Sequence, residues 1–155
     1  MSNTNKYKAK GNFWRRVRSV LFLLPAWFAP HKTLRAFFHR LRGVDIGKDV
    51  EIGYFCIIGN VHPYMIHIED YAVVTARTTL LEHDNSYFYS VGGDVKCADV
   101  FIRKNAFIGV GSVVLPGVEI GERAIIGALS LVKDSIPNDC VAAGIPAKII
   151  KNTTL

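Results

Sequence analysis

Residues 102–133 read IRKNAFIGVGSVVLPGVEIGERAIIGALSLVK, and every sixth residue of this stretch is a branched aliphatic. The aliphatic positions are Ile102, Ile108, Val114, Ile120, Ile126 and Val132. A glycine directly follows three of them, at Gly109, Gly121 and Gly127. Four residues after each aliphatic comes a mostly small side chain, at Ala106, Ser112, Val118, Ala124, Ser130 and Ile136. A period of six fits neither an amphipathic helix nor the alternation of a half-buried strand.

This period predicts an all-β fold, the hexapeptide parallel β-helix, in which each unit is a short strand plus a turn and three units close one triangular coil. We expect the aliphatic and the small residue to point inward, and glycine to relieve the turn because it tolerates positive φ. The same spacing recurs upstream in two other registers, at Ile46, Ile52 and Ile58 and at Ile68, Val74 and Leu80. Twelve units in threes predict about four coils, interrupted by a short insert at 60–65 and an inserted loop at 85–101.

Length and composition indicate a single globular domain. The chain has 155 residues, half of them apolar and about a fifth charged, which suits one sizeable core. Its three cysteines are too few and odd in number for a disulfide framework. Cys56 falls on a small inward position, so we expect a core thiol in a reducing compartment, most simply the cytoplasm.

The net charge of +6 is unevenly distributed along the chain. Residues 1–44 contain ten Lys or Arg and no Asp or Glu, so residues 45–155 carry a net charge of −4. This asymmetry predicts two parts. Residues 1–44 form a basic amphipathic helical arm, and residues 45–155 form the β-helix domain with its inserted loop and a C-terminal tail from residue 152.

The arm shows two stretches of helical period, separated by Pro25 and Pro30. In residues 13–24 one face carries Phe13, Trp14, Val17, Val20, Leu21 and Leu24, and the other carries Arg15, Arg16, Arg18 and Ser19. In the second stretch we expect Leu34, Phe37, Phe38 and Leu41 inside and Lys32, Arg35, Arg40 and Arg42 outside. Gly43 is a helix stop.

Two roles fit this arm. A β-helix leaves its first coil open, so the arm is expected to cap it; a basic amphipathic helix also suits peripheral contact with anionic lipid at the inner face of the membrane. The apolar run at 20–30 is too short to span a bilayer, and no small-residue cleavage site follows it. No recognition motif accompanies the basic charge, so a nucleic-acid partner is not expected.

The repeat, followed by AGIPAK at residues 143–148, resembles the hexapeptide-repeat acyltransferases, among them the maltose and galactoside O-acetyltransferases and surface-polysaccharide O-acetyltransferases. The resemblance covers roughly residues 43–151. It implies a left-handed coil, a homotrimer and acetyl-CoA as a co-substrate held between neighbouring β-helices, with no permanently bound cofactor or metal. The acceptor would be a hydroxyl of a sugar or surface-polysaccharide precursor.

The resemblance also implies roles for individual residues. His83, just before the long insert, matches the general base, with Glu82 or Asp84 as the residue that orients it. The backbone N–H of Val110 matches the oxyanion donor. The positions matching the acetyl-CoA site are Gly109, Ala128, Lys133, Lys148 and Lys151. Two departures stand out: Leu129 replaces a glycine common in relatives, and Lys133 comes one place early.

The long insert is the expected place for acceptor binding because functional loops often leave rigid scaffolds. We assign this role to Asp84 and Tyr87. The aromatic run Tyr87, Phe88 and Tyr89 would cover a sugar ring, or else pack the loop onto its own coil or a neighbouring subunit.

Three rival interpretations stay open. The acceptor could be the amine of a nucleotide-linked amino sugar, since a histidine base serves both reactions. His62, His67 and His83 could instead hold a zinc ion, as in γ-class carbonic anhydrases. A scaffold without catalysis is disfavoured because the base and the CoA signatures occur together.

Overall fold

The computed structural model describes residues 13–153. It contains four α-helices: α1 Phe13–Leu21, α2 Leu23–Phe28, α3 Lys32–Arg42 and α4 Ser86–Val91. A short 3-10 helix spans Pro63–Met65. The expected irregular terminus at residues 1–12 lies outside the described residues, as do residues 154 and 155.

Short strands make up most of the remaining structure. They are β1 Asp45–Ile46, β2 Glu51–Ile52, β3 Ile57–Ile58, β4 Ile66–Ile68, β5 Val73–Val74, β6 Thr79–Leu80, β7 His83–Asp84, β8 Lys96–Cys97, β9 Val100–Ile102, β10 Phe107–Ile108, β11 Val113–Val114, β12 Glu119–Ile120, β13 Ile125–Ile126, β14 Leu131–Val132, β15 Cys140–Gly144 and β16 Ala147–Asn152.

These strands stack into three parallel sheets, which form the faces of a parallel β-helix. Face 1 contains β1, β4, β9 and β12; face 2 contains β2, β5, β10, β13 and β15; face 3 contains β3, β6, β11 and β14. The chain visits the faces in turn, so each triplet of strands lies on the one before it. The predicted parallel β-helix is confirmed. At the end of face 2, β16 folds back antiparallel onto β15 through a turn with a cis Ile145–Pro146 bond.

The residues that recur every six positions form the hydrophobic core. Every inward aliphatic at this spacing stacks on its counterpart one coil away, as in the pairs Ile46↔Ile68 and Ile108↔Ile126, and none is more than 8% exposed. The small positions are buried as expected, Cys56 among them. All three cysteines are free thiols. The core is therefore a column of branched aliphatics along the axis of the helix.

The reason given above for the glycines is wrong. Gly109, Gly121 and Gly127 are not among the residues with positive φ; that conformation falls two residues later, at Gly111, Arg123 and Leu129. The glycines are required instead by the close approach of the next coil. A Cβ on Gly109 would lie 2.5 Å from the backbone nitrogen of Ala128.

The long insert is more ordered than a loop. β7 pairs antiparallel with β8, and α4 lies between them. The coil resumes at Val100, the first residue of β9, so the insert ends before Phe101. The C-terminal tail is also shorter than predicted because Asn152 still belongs to β16. The predicted boundary between residues 44 and 45 stays a prediction.

The arm contains three helices, and α3 only partly follows its predicted face. Arg35 and Arg42, predicted outside, are buried with Ala36 and His39, whereas Leu34 and Phe37, predicted inside, are 44% and 48% exposed. Lys32 and Arg40 are exposed as predicted. The break after α1 falls at Phe22, and Pro25 lies in the first turn of α2, where a missing N–H is tolerated. Gly43 is the left-handed C-cap of α3, as predicted.

Unpaired carbonyl groups on the first coil explain why α3 turns its arginines inward. Bonds between coils run in both directions, and the C=O of each inward aliphatic residue faces the preceding coil, as in the bond from Gly47 N–H to Ile68 O. The equivalent carbonyls of the first coil, at Ile46, Ile52 and Ile58, therefore face the open end. The guanidinium of Arg40 donates to Ile46 O, that of Arg35 to Ile52 O and that of Arg42 to Ile58 O. Each arginine thus satisfies the equivalent carbonyl on one of the three faces, at a place where an apolar side chain would leave it without a partner.

The apolar face of α1 is left exposed. Phe13, Trp14 and Val20 are each at least 70% exposed, and the side facing the protein buries Ser19 instead. Within residues 13–153 no helix is long and apolar enough to cross a bilayer. Peripheral contact of this face with lipid stays a proposal.

We expect Arg42→Met to lower the free energy of unfolding by about 2–4 kcal/mol, because it leaves several buried carbonyls without a donor. Arg42 donates to Ser19 O, Ile58 O and Gly59 O, and burial lowers the pKa of its guanidinium only to about 10, so it stays charged at neutral pH. Urea unfolding measures the loss. The matched control Lys48→Met changes an exposed side chain and should stay within about 0.5 kcal/mol; equal losses in both variants would contradict the capping role.

His39 makes stability depend on pH. Burial, with a further contribution from the Arg42 guanidinium, lowers the pKa of His39 from 6.5 to about 3. The unfolded chain therefore binds a proton between these values that the folded chain does not. The contribution of the neutral His39 to the free energy of unfolding is fully present above pH 6.5. It is lost on acidification by up to about 1.4 kcal/mol per pH unit.

Urea unfolding from about pH 7 to about pH 5 tests this slope. His39→Gln should flatten it, whereas His31→Gln, which changes an exposed histidine, should leave it unchanged. A slope that survives His39→Gln would assign the pH dependence to other groups.

Candidate active site

His83 lies where the chain leaves the β-helix for the long insert. It comes three residues after Leu80, the last residue of β6, and begins β7. This position is the corner between face 3 and face 1. The imidazole is 22% exposed, so it is fixed by its surroundings but accessible from one side.

Of the two acidic neighbours of His83, Glu82 is the one whose carboxylate lies beside the ring. The Glu82 carboxylate is buried, and its Oε1 atom accepts hydrogen bonds from the N–H groups of Val61 at 2.9 Å and His62 at 2.8 Å. The same oxygen lies 3.2 Å from His83 Nδ1, without the alignment of a formed hydrogen bond. A carboxylate at Nδ1 favours the tautomer that leaves Nε2 free to accept a proton.

Asp84 has a different partner. Its Oδ1 atom accepts a hydrogen bond from the backbone N–H of Ser86 at 2.8 Å, at the start of α4. The hydrogen bonds from Ser86 lower the pKa of this exposed carboxyl. Asp84 therefore shapes the entry to α4, and its predicted acceptor contact stays a prediction.

His62 is the second histidine at this corner. Its ring centroid lies 6.5 Å from that of His83, and its Nδ1 atom is 3.3 Å from the Tyr64 hydroxyl. Burial lowers the pKa of His62, with smaller lowering contributions from His83 and Arg16, against an opposing contribution from Glu82. His62 is therefore a neutral hydrogen-bonding group at pH 7.

The third histidine lies elsewhere, which speaks against a zinc site. His67 is in β4 on face 1, where its ring stacks on Phe101 with centroids 4.7 Å apart and its nitrogens face Asp45 and Asp99. Among residues 13–153 no three His, Cys, Asp or Glu side chains are grouped so as to hold a metal ion.

Tyr87 is on α4, and its side chain packs within the insert. The ring covers Gly93, where any side chain would collide with it, yet Tyr87 remains 67% exposed. This contact lies within the insert, so packing of the aromatic run onto the coil or a neighbouring subunit also stays a prediction. Binding of the acceptor by Tyr87 stays a prediction.

The residues assigned to acetyl-CoA gather at a different corner, between face 2 and face 3. Gly109 and Val110 follow β10, and Ala128 occupies the equivalent position one coil later, after β13. Among residues 13–153 the N–H groups of Val110 and Ala128 donate to no acceptor. Three equivalent amides at the corner between faces 1 and 2, at Lys48, Lys104 and Glu122, donate to side chains of a neighbouring coil. The corner with Val110 therefore offers a row of free donors.

The three lysines divide between two places. Lys148 and Lys151 are exposed on β16, at the end of face 2. Lys133 follows β14 at the far end of face 3, and its ammonium lies 3.2 Å from the Asp134 carboxylate. Lys148 and Lys151 therefore share a face with Gly109, whereas Lys133 does not. Leu129, which replaces a glycine, has φ +57° and is 69% exposed beside Ala128.

His83 and Val110 do not form one site within a single chain. They stand at opposite ends of face 3, because Gly111 N–H bonds to Ala76 O and Ala76 precedes His83 by seven residues. One whole side of the triangular coil, on the order of 15–20 Å, separates them. A reaction that uses both groups needs two copies of the chain.

Comparisons with known proteins agree with this architecture. The family described as "Bacterial transferase hexapeptide (six repeats)" matches residues 99–134. The dTDP-4-amino-4,6-dideoxy-D-glucose acyltransferase of Escherichia coli is 32% identical over 145 residues, which cover 75% of this chain and 75% of that protein. The chain belongs to the hexapeptide-repeat acyltransferase family. These relatives imply the left-handed sense of coiling for the hexapeptide repeat.

Other members of the family differ in length and in chemistry. The galactoside O-acetyltransferase of Escherichia coli K12 is 30% identical over 128 residues, which cover 81% of this chain but only 60% of that protein. A variant of the N-acyltransferase AntD from Bacillus cereus, solved in complex with dTDP and coenzyme A, superimposes with a TM-score of 0.62 at 25% identity, over 72% of this chain and 74% of AntD.

Sequence reasoning missed the neighbours of His83 that come from the arm. The insert at 60–65 and helix α1 enclose a cavity of about 740 Å³ beside His62. The arginines of α1 and the insert can both be recognised in the sequence. Their contact cannot, because it joins residues more than forty positions apart.

Proposed function

We propose that this protein transfers an acetyl group from acetyl-CoA to a hydroxyl of a sugar or surface-polysaccharide precursor, with His83 as the general base. The observation that carries the proposal is the imidazole of His83, held beside a buried carboxylate at the mouth of the long insert. Family membership and the AntD complex with coenzyme A support the acyl donor.

In this mechanism Nε2 of His83 takes the proton of the acceptor hydroxyl as the oxygen attacks the thioester carbonyl carbon. Glu82, facing Nδ1, stabilises the imidazolium that forms. Collapse of the tetrahedral intermediate breaks the carbon–sulfur bond, and the imidazolium returns its proton to the leaving thiolate. The oxyanion is stabilised by the free Val110 N–H of a neighbouring copy.

The proposed assembly is a homotrimer. Its motivation is the separation of His83 from the corner with Val110 and Ala128, which only a second copy can bridge. Gly109, Ala128, Lys148 and Lys151 would then bind acetyl-CoA along face 2, with its phosphates near the two lysines. Lys133 has the weakest support because of its position and its carboxylate neighbour.

A second candidate is transfer to the amine of a nucleotide-linked amino sugar. The observation in its favour is the 32% identity to the dTDP-4-amino-4,6-dideoxy-D-glucose acyltransferase. The same histidine would then take the proton from the attacking amine. Assay of paired acceptors that differ only by a hydroxyl or an amine, with release of coenzyme A as the readout, separates the two reactions.

We expect His83→Ala to lower kcat by about 10²–10⁴, since a general base acts only as the acceptor attacks. Binding of acetyl-CoA should be retained because Gly109, Ala128, Lys148 and Lys151, and not His83, are the residues proposed to hold it. The controls are His62→Ala and His67→Ala, which should cost far less. Steady-state kinetics and calorimetry with acetyl-CoA make the measurement.

Two outcomes would overturn this assignment. If His83→Ala keeps near wild-type kcat, another group is the base. If all three histidine variants lose activity together with bound zinc, the protein is a metalloenzyme instead.

The shared site is tested by mixing inactive variants. His83→Ala removes the base, and Ala128→Trp blocks the donor corner at an exposed position. Each should be inactive alone, whereas mixed trimers pair an intact His83 with an intact Ala128 and should recover part of the activity. Mass measurement in solution should give a trimer; a monomer that turns over acetyl-CoA, or mixtures without recovery, would contradict the shared site.

A further inference from the structure

A cavity of about 740 Å³ lies between the arm and the first insert, beside the proposed base. Its walls are the basic side of α1, the end of α3 and the segment 60–64. Ligand pockets for small molecules have volumes of about 300–1,000 Å³, so the space suits a substrate of nucleotide size.

The walls of this cavity are held by buried polar groups. Arg42 joins all three of them, since it donates to Ser19 O of α1 and to Gly59 O and Asn60 Oδ1 of the insert. Glu82 fixes the same insert through the N–H groups of Val61 and His62. The guanidinium of Arg42 is therefore occupied, and it contributes shape and positive charge to the cavity.

Three other arginines lining the cavity lack acidic partners. Within residues 13–153, no carboxylate lies within 4.0 Å of the guanidinium of Arg15, Arg16 or Arg18, and residues 1–44 contain no Asp or Glu. Arg18 Nη2 lies 3.5 Å from the position that a Cβ atom on Gly43 would occupy, in the wall of the cavity. Three unpaired positive charges around a concave surface create a strong potential for an anion.

The cavity adjoins the corner of His83 through His62. His62 is one of its lining residues, and the His62 ring centroid lies 6.5 Å from that of His83. Arg16 is close enough to His62 to lower its pKa. A group bound among the arginines would thus place the remainder of its molecule at the base.

We propose that this cavity is the subsite for a phosphate or diphosphate group on the acceptor. The inference rests on the proposed function and names its acceptor class: a sugar carried on a phosphate ester. Arg15, Arg16 and Arg18 bind the phosphoryl oxygens with charge-assisted hydrogen bonds, and the neutral His62 and Tyr64 face the sugar. Binding at this point directs the acceptor hydroxyl or amine to His83 Nε2.

The first test is direct binding to the full-length protein, with inorganic pyrophosphate as the probe. Calorimetry at about 50 mM salt should detect binding that weakens as salt rises, because screening reduces the attraction of exposed charges. Arg16→Gln and Arg18→Gln should each weaken binding by about 10–100-fold, the range for one charged hydrogen bond. Lys48→Gln removes one exposed charge from another corner of the first coil and should change the affinity less than about twofold.

This binding test is independent of catalysis. His83→Ala should bind pyrophosphate as the wild type does, so failure of the proposed reaction and failure of the subsite are distinguishable. With a working acceptor, Arg16→Gln should raise the KM of the phosphorylated acceptor and leave the KM of acetyl-CoA unchanged. A merely structural role would shift the melting temperature and both KM values together.

Two further probes identify the source of the phosphate. Uridine diphosphate represents a nucleotide-linked sugar, and geranyl diphosphate represents a lipid-linked one. Tighter binding of the first than of pyrophosphate assigns the nucleotide source; tighter binding of the second assigns the lipid source, with the exposed apolar face of α1 receiving the chain. The proposal is overturned if the wild type binds none of the three, or if Lys48→Gln weakens binding as much as the arginine variants do.

Discussion

The backbone hydrogen bonds between coils are the constraint on which the rest of this structure depends. At each inward aliphatic position after the first coil, the C=O group accepts a hydrogen bond from an N–H of the preceding coil. In the first coil the equivalent carbonyls face the open end, and guanidinium groups are donors that match them. Arg35, Arg40 and Arg42 meet three equivalent carbonyls, one on each face. A helix packed by apolar side chains at this end would leave those acceptors buried without partners.

The same ladder makes the corners of the coil rigid reference points. Short parallel strands leave little freedom at a corner, so groups placed there keep their positions relative to the stack. At the corner between faces 1 and 2, side chains satisfy the backbone amides, whereas Val110 and Ala128 keep free N–H groups at the next corner. His83 occupies the third corner. The chain thus carries the proposed base and a row of free donors on separate edges, and a site that uses both is proposed to lie between two copies.

The arm links stability to the candidate site. Arg42 is bonded to α1, to the first coil and to the short insert, and it also forms part of the cavity beside His62. Residues that cap the β-helix therefore also shape the space next to His62. Within residues 13–153 the arginines of α1 form no such structural bonds, which leaves their charge available to the proposed ligand.

The sequence by itself determined the β-helix and its inward residues, and it pointed to His83 as the proposed base. A six-residue period can be read from one chain because each unit has the same local environment. Burial of Ile102 and of Ile126 is therefore predicted by the same spacing. The conformation of Gly109 could not be read, since its cause is the backbone of Ala128 in the next coil. The buried face of α3 could not be predicted either. Helical periodicity assigns the apolar side chains to the interior, and it carries no information on unpaired carbonyl groups at the end of the first coil. Only the tertiary structure decided that Glu82 is fixed by the amides of Val61 and His62, that Val110 lies on another edge than His83, and that the arginines of α1 line a cavity beside His62, since each of these depends on contacts between segments far apart in the chain.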